Sequence, residues 1–288
     1  MPSVQEQIRQ RFPELSPALQ QIARYLLDHP AEVVTTSMRR IGVQAGATPA
    51  TLVRFAQHFG FDGWPPLKAA FAAEMGLGPR AYGVRAQQLI GRAREAGLAD
   101  EMFEVQRRNL EETQAHCAPS LERVCAVLEK APAVHAAGFR ACYPIAFAFV
   151  YLYRLFRPSV HLVDGLGGAL EMQQRSFARG DALLVASFAP YSREALQVAQ
   201  AARAAGCRVI ALTDSSTSPL SLQAHETLLF ANHSPSFFPS VSAGMTLAET
   251  LLELLASRAG KAAVRRIDEA ERQLHESGAY LEAPRSRA

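Results

Sequence analysis

Residues Ser37 to Phe59 read SMRRIGVQAGATPATLVRFAQHF, and this stretch decides the fold of the first third of the chain. A helix runs roughly from Ser37 to Ala45, Gly46-Ala47 makes a turn, and Thr48-Pro49 opens the next helix with a capping hydroxyl ahead of a first-turn proline. That second helix ends at Phe59-Gly60, where glycine suits a left-handed cap. Leu52, Phe55, Ala56 and Phe59 fall on one of its faces. Two helices joined by a short glycine-containing turn form a helix-turn-helix, whose second helix can enter the major groove of DNA. The glycines are steric requirements. A side chain at Gly42 would push the helices apart, and one at Gly46 would strain the turn.

The polar residues left on the outer face are Thr48, Thr51, Arg54, Gln57 and His58. Arginine can donate two bonds to guanine, glutamine can pair with adenine, and threonine can contact phosphate or a thymine methyl. Arg39, Arg40 and Lys68 are candidate phosphate contacts. Read alone, the same residues also suit the solvated face of a small helical bundle. Charge supports the first reading: residues 1–85 hold nine Lys/Arg and six Asp/Glu, while the remainder holds 21 of each, so the whole excess of +3 sits in the first third.

The 288 residues exceed one small module and suit two domains. With 49% hydrophobic and 20% charged residues, the chain can bury real cores, which excludes disordered, collagen-like and disulfide-stapled classes. The richest apolar run, Ile145 to Leu155, is too short to span a bilayer. Gln5, Glu6, Gln7, Arg9 and Gln10 occupy the place of a signal peptide's apolar stretch, so the expected location is the cytoplasm, with no membrane partner. Cys117, Cys125, Cys142 and Cys207 stand far apart with no zinc-ligand spacing. They read as reduced, buried thiols, with no metal and no cofactor.

Before the turn, Ser16-Pro17 starts a helix in which Leu19, Ile22, Ala23, Leu26 and Leu27 recur up to His29-Pro30. After it, the glycine-rich segment between Glu74 and Gly83 reads as a hinge, followed by one or two connecting helices that end near His116 to Ser120. From Ala131 the pattern becomes apolar strands (Ala133 to Gly138, Val160 to Val163, Ala182 to Ser187, Arg208 to Leu212, Thr227 to Phe230) alternating with helices near Ile145 to Phe156, Ala169 to Phe177, Arg193 to Ala205, Pro219 to Ala224 and Val241 to Ala259. That alternation indicates a doubly wound parallel sheet covered on both faces. The expected organisation is an all-α helix-turn-helix domain at 1–76, a linker with connecting helices at 77–119, an α/β domain at 120–260 and a helical tail at 261–288.

LSPALQQIARYLLDHP, followed by ATPATLVRFAQHFGFDGWPPLKAAF, resembles the N-terminal domain of RpiR-type regulators, bacterial repressors and activators that carry a sugar-isomerase (SIS) domain behind a helix-turn-helix. Thr51, Arg54, Phe55, Gly60 and Phe61 are its most specific residues. The ALTDSSTSPLS run, with Ser187, Ser192 and Glu194, resembles the SIS domain that binds phosphosugars. Ligands of doubly wound sheets sit beyond the carboxyl ends of the strands, where helix N-termini offer N–H groups to anions. The candidate cradle is therefore Gly138, Phe139 and Arg140; Ser187, Ala189, Tyr191, Ser192 and Glu194; and Thr213 and Ser218. Those hydroxyls also suit plain helix capping. The family's first turn usually has a glycine and a serine where this chain has Arg140 and Cys142, and its third turn a serine, a glycine and a threonine where this chain has Ala189, Pro190 and Ser192. Arg140 can serve as a direct phosphate or carboxylate ligand or as the partner of a nearby acid.

These readings imply a homodimeric or homotetrameric transcription regulator that binds double-stranded DNA at a palindromic operator and senses a small anionic effector such as a phosphosugar. The alternative is a sugar-phosphate isomerase with a helical extension. Glu194, His225 and His233 are its possible acid-base groups, but no paired motif marks a catalytic residue.

Overall fold

The computed structural model describes residues 3–74, 81–92 and 97–280. Six short helices build the N-terminal domain: α1 (Val4–Arg11), α2 (Pro17–Asp28), α3 (Pro30–Thr35), α4 (Met38–Gln44), α5 (Pro49–His58) and α6 (Trp64–Glu74). Their boundaries follow local chemistry. Ser3 and Glu6 form a reciprocal capping box on α1, the Ser37 hydroxyl accepts the Arg40 amide, and the Thr48 hydroxyl accepts the Thr51 amide. Ile8, Ile22, Leu26, Ile41, Leu52, Phe55, Leu67 and Phe71 are fully buried in one core. The sequence reading missed α1, α3 and α6. In the case of α3, the His29-Pro30 break that ends α2 also starts a new helix, because proline is favoured at the first helical position.

Residues 75–80 of the expected hinge lie outside the described residues. Its last part is corrected: Gly83 lies inside α7 (Ala81–Arg92). The expected end of the connecting helices near His116 to Ser120 is also corrected. Helix α8 runs unbroken from Leu98 to Lys130, with Pro119 in its interior. A mid-helix proline costs roughly 3 kcal/mol. Burial on both sides of it offsets that cost: Cys117 precedes it, and Val124, Cys125 and Leu128 follow it into the core. Arg123 also donates to the Pro119 carbonyl at 2.8 Å.

Five strands follow: β1 (Val134–Gly138), β2 (Val160–Val163), β3 (Ala182–Ala186), β4 (Arg208–Thr213) and β5 (Glu226–Leu229). All pairings are parallel, in the order β2-β1-β3-β4-β5. Every residue of β1 and β3 is buried, as expected for a sheet covered on both sides, and His135 is the one polar side chain among them. One cover consists of α8, α9 (Tyr143–Arg154) and α12 (Ser242–Ala259), through Leu128, Ile145, Phe149, Leu247 and Leu251. The other consists of α10 (Leu170–Arg175) and α11 (Arg193–Ala204), with Phe177, Val198 and Ala202. The helix expected at Pro219 to Ala224 is corrected to one 3-10 turn, Ser221–Gln223. Ser218 caps that turn through the Ser221 amide, and the fully buried Leu220 anchors it. The tail forms α13 (Lys261–Glu276).

Strand order fixes where a ligand can sit. The chain leaves β1 for β2 on one side and returns to β3 on the other, so β1 and β3 are neighbours whose following helices cover opposite faces. That switch point opens a crevice beyond their carboxyl ends.

Candidate functional site

At the N-terminal end, Gly42 and Gly46 meet the steric requirement read from the sequence. A Cβ on Gly42 would lie 2.6 Å from the Ala47 carbonyl oxygen, and Gly46 sits at φ +63°. The turn therefore locks α4 against α5, and Leu52, Phe55 and Ala56 bury the inner face of α5. Arg39, Arg40, Thr48, Arg54, Gln57 and His58 are exposed, and Thr51 is half-buried. Three of these side chains are already engaged. The Thr48 hydroxyl caps α5 and lies 2.8 Å from the Thr51 hydroxyl. His58 is held by Arg11, which donates to its carbonyl at 3.1 Å, lies 3.0 Å from its ring nitrogen, and stacks on Phe59. Lys68 points inward and donates to the Thr36 carbonyl at 2.7 Å. Burial, with the charge of Arg193, holds its ammonium pKa below the ordinary value. Arg11 is a basic neighbour of α5 that no local pattern announced.

At the sheet edge, Gly138 ends β1 where no side chain fits, since a Cβ would fall 2.2 Å from the Cys142 carbonyl oxygen. Arg140 then takes φ +56°, the left-handed conformation that glycine adopts freely. Its guanidinium reaches across to α11 and donates to Glu194 at 2.9 Å. Glu194 is held below its usual carboxylate range, chiefly by its own backbone amide and further by Arg140.

The hydroxyls mostly hold the turns themselves. Ser187 accepts the Ser192 amide, and Ser192 caps α11 by accepting the Ala195 amide. Thr213 donates to Ser218, which in turn donates to Ser221. All four are buried. Asp214, quoted in the ALTDSSTSPLS run but not singled out, links two turns: one carboxylate oxygen accepts the Ala189 amide at 3.1 Å and the other the Tyr191 hydroxyl at 2.9 Å. Burial, then the Asp214 charge, pushes the Tyr191 phenol upward.

A cavity of about 410 Å³ opens at the β1/β3 edge. It brings together Phe139, Arg140, Ser187, Tyr191 and Ser192 from the sequence reading and adds Tyr82, Cys142, Phe188, Pro190, Arg193 and Phe238. Burial pushes the Cys142 thiol up to about 12. A neighbouring polar cavity of about 850 Å³ shares Tyr82 and Pro190 and is lined by Arg85, Gln88, Ala189, Asp214, Asn232 and His233 among others. Gly138, Thr213 and Ser218 line neither cavity. Tyr82 and Phe238, 156 positions apart in the chain, have ring centroids 4.9 Å apart. No local sequence signal could have joined them.

The possible acid-base groups do not converge. Glu194 is paired with Arg140, the His225 ring accepts the Val209 amide at 2.9 Å, and His233 lies 3.4 Å from Glu112 on α8. Among the described residues no cluster of His, Cys, Asp and Glu could hold a metal, and no helix is long and apolar enough to cross a membrane.

Comparison with known proteins agrees with this architecture. Residues 3–76 match the helix-turn-helix domain of the rpiR family, and residues 128–254 match the SIS domain. The structure is similar to the sugar isomerase domain of an RpiR transcription factor from Sphaerobacter thermophilus (20% identity, TM-score 0.57, covering 61% of this chain and 99% of that one). It is also similar to the Vibrio vulnificus NanR protein complexed with ManNAc-6P (18% identity, TM-score 0.62, covering 95% of this chain and 98% of that one). With a helix-turn-helix of the rpiR family joined to a doubly wound SIS domain, the chain belongs to the RpiR-type transcriptional regulators.

Proposed function

We infer that this regulator reads its operator with α5 and binds a small anionic metabolite at the β1/β3 edge, which alters DNA affinity. The observation that carries the reading is the position of α7. It follows the helix-turn-helix domain directly and lays Tyr82 into the effector cavity. The Vibrio NanR protein is complexed with ManNAc-6P, which supports a small phosphorylated ligand for this regulator. Turnover is not part of the function, because Glu194, His225 and His233 each have structural partners and face no common cavity.

Base reading falls to Arg54 and Gln57, exposed opposite the buried face of α5, with Thr48, Thr51, Arg39 and Arg40 on phosphates. Arg54→Ala is expected to cost about 1–3 kcal/mol at the operator and to relax preference at one base pair. Titration against an operator obtained by random-duplex selection checks this, and equal weakening on every duplex would demote Arg54 to a phosphate contact.

A two-fold assembly would match a palindromic operator. Exposed Met102, Phe103 and Leu110 on α8 and Val264 on α13 supply apolar surface for it. Sedimentation is expected to give at least a dimer at micromolar concentration, and a monomer that still binds the operator would refute the assembly.

A further inference from the structure

The smaller cavity, at the β1/β3 edge, and the larger one, where the turns after β3 and β4 meet the 231–240 loop, share Tyr82 and Pro190 as a common boundary. On the smaller side Tyr82 continues into an aromatic wall, with Phe238 4.9 Å from Tyr82 and 6.2 Å from Phe188 between centroids. The polar groups of that side suit a phosphate. Arg193 stands at the first position of α11, exposed and without a hydrogen-bond or ion-pair partner among the described residues. Arg140 keeps N–H groups beyond the one it donates to Glu194. Ser187 and Ser192 accept backbone amides of their own turn, which leaves both hydroxyl protons to donate. Together with the α11 N-terminus, these groups meet an anion with donors and positive charge.

The larger cavity has a different chemistry. Gln88, Asn232 and Ser236 line it and suit the hydroxyls of a polyol, which call for both donors and acceptors. Asp214 is the one carboxylate among its described lining residues, and it is already engaged: one oxygen accepts the Ala189 amide and the other the Tyr191 hydroxyl. Arg85 is the group left over. It is exposed on α7, with no hydrogen-bond or ion-pair partner among the described residues. Its charge reaches the Tyr82 phenol at the boundary of the two cavities, opposing the upward shift that burial produces there. An unpaired guanidinium beside an acid that already has its donors calls for an anionic group on the ligand.

Resting on the effector reading of the β1/β3 edge, we propose that the ligand is a phosphorylated sugar acid that spans both cavities, with its phosphate at Arg140 and Arg193 and its carboxylate on Arg85. The helix that follows the DNA-binding domain then completes the ligand site. A ligand with both charged groups joins α7 to α11, whereas phosphate alone engages the SIS domain only. The far end of the ligand thus decides whether binding is transmitted to the operator, because only contacts that differ between two arrangements of the protein shift their populations.

The test is calorimetric titration of the full chain with 6-phosphogluconate, glucitol 6-phosphate and inorganic phosphate, with operator affinity measured in parallel. The two esters are open chains that differ at one end, a carboxylate against a hydroxymethyl group, so their comparison isolates the second charge. 6-Phosphogluconate is expected to bind about tenfold more tightly than glucitol 6-phosphate and to change operator affinity, while inorganic phosphate leaves it unchanged. Arg85→Ala should erase that preference and leave the affinity for inorganic phosphate as it was, Arg85→Lys should restore part of it, and Arg193→Ala should weaken all three ligands. Circular dichroism and the melting temperature of each variant establish that it is folded. A preference for 6-phosphogluconate that survives Arg85→Ala would overturn the placement of the carboxylate. Equal affinity for the two esters would overturn the acid class and keep the effector reading. Weakening of inorganic phosphate by Arg85→Ala to the same degree as 6-phosphogluconate would show that Arg85 acts through the shape of the site, against the proposal. No binding of any of the three at millimolar concentration would overturn the effector reading itself and the proposal with it.

Discussion

Arg140 holds a backbone conformation, φ +56°, that costs an ordinary residue roughly 1–2 kcal/mol relative to glycine. It sits there because the β1-to-α9 turn closes on itself: the Cys142 amide donates to the Phe139 carbonyl, and the chain packs directly over Gly138. The largely exposed ion pair with Glu194 returns about 0–1 kcal/mol, so it does not offset the strain by itself. Removing the charge in two ways separates these contributions. Arg140→Ala keeps the strain and loses the pair, whereas Arg140→Gly loses both. The glycine variant is expected to be about 1 kcal/mol more stable than the alanine variant by denaturant unfolding. Equal stabilities would mean that the turn relaxes around Arg140.

Among the elements, the α4–turn–α5 unit is the one most tightly specified by sequence. Gly42 is buried against the Ala47 carbonyl, and its overlap with a Cβ is with backbone, which cannot rotate away. Gly42→Ala is therefore expected to destabilise the N-terminal domain by about 1–3 kcal/mol and to reduce operator binding. Effector binding to the SIS domain should persist, and calorimetry on the variant checks both effects together. Helix α8 is specified less locally. Asn109 donates to the His233 carbonyl at 2.8 Å, Thr113 accepts the Ala231 amide, and Ser240 donates to Gln106. These bonds tie one long helix to the loop that carries Phe238. Through the Tyr82–Phe238 ring contact the same loop also meets α7.

In the molecule as a whole, both histidines held below their ordinary pKa among the described residues lie in the SIS domain. His135 on β1 is buried beside Asp181, with its Nε2 3.2 Å from the carboxylate, and packs on His161 and Phe177. Burial lowers its pKa below the ordinary 6.5, although Asp181 pulls the other way. His225 is lowered too, first by burial and then by Arg208 and Arg203. A histidine depressed in the folded state gives stability that is full above the unfolded value and is lost as pH falls from there to the folded value. Thermal unfolding is expected to show the SIS domain losing stability as pH falls below the ordinary histidine value of about 6.5, with a shallower slope in His135→Gln. A slope unchanged by that substitution would assign the acid sensitivity elsewhere.

Much of this architecture was legible along the chain. The five strands announce themselves because a sheet covered on both faces needs unbroken apolar runs, and Gly42, Gly46 and Thr48 announce the turn because backbone contact and capping act within a few residues. Helix α8 was misread at Pro119, since local propensity ends a helix that burial of Val124, Cys125 and Leu128 carries onward. The candidate site divides in the same way. The turns bearing Arg140, Ser187 and Ser192 could be named from strand ends, but whether their hydroxyls face a ligand or cap their own loops depends on side-chain direction, and the fold turned most of them inward. The aromatic wall was invisible, because Tyr82, Phe188 and Phe238 come from three distant segments and meet only after α7 and the 231–240 loop pack over the sheet edge. Hydrogen bonding and backbone sterics are short-ranged along the chain and leave a readable pattern, whereas a cavity is made by residues that share no pattern until the cores are buried.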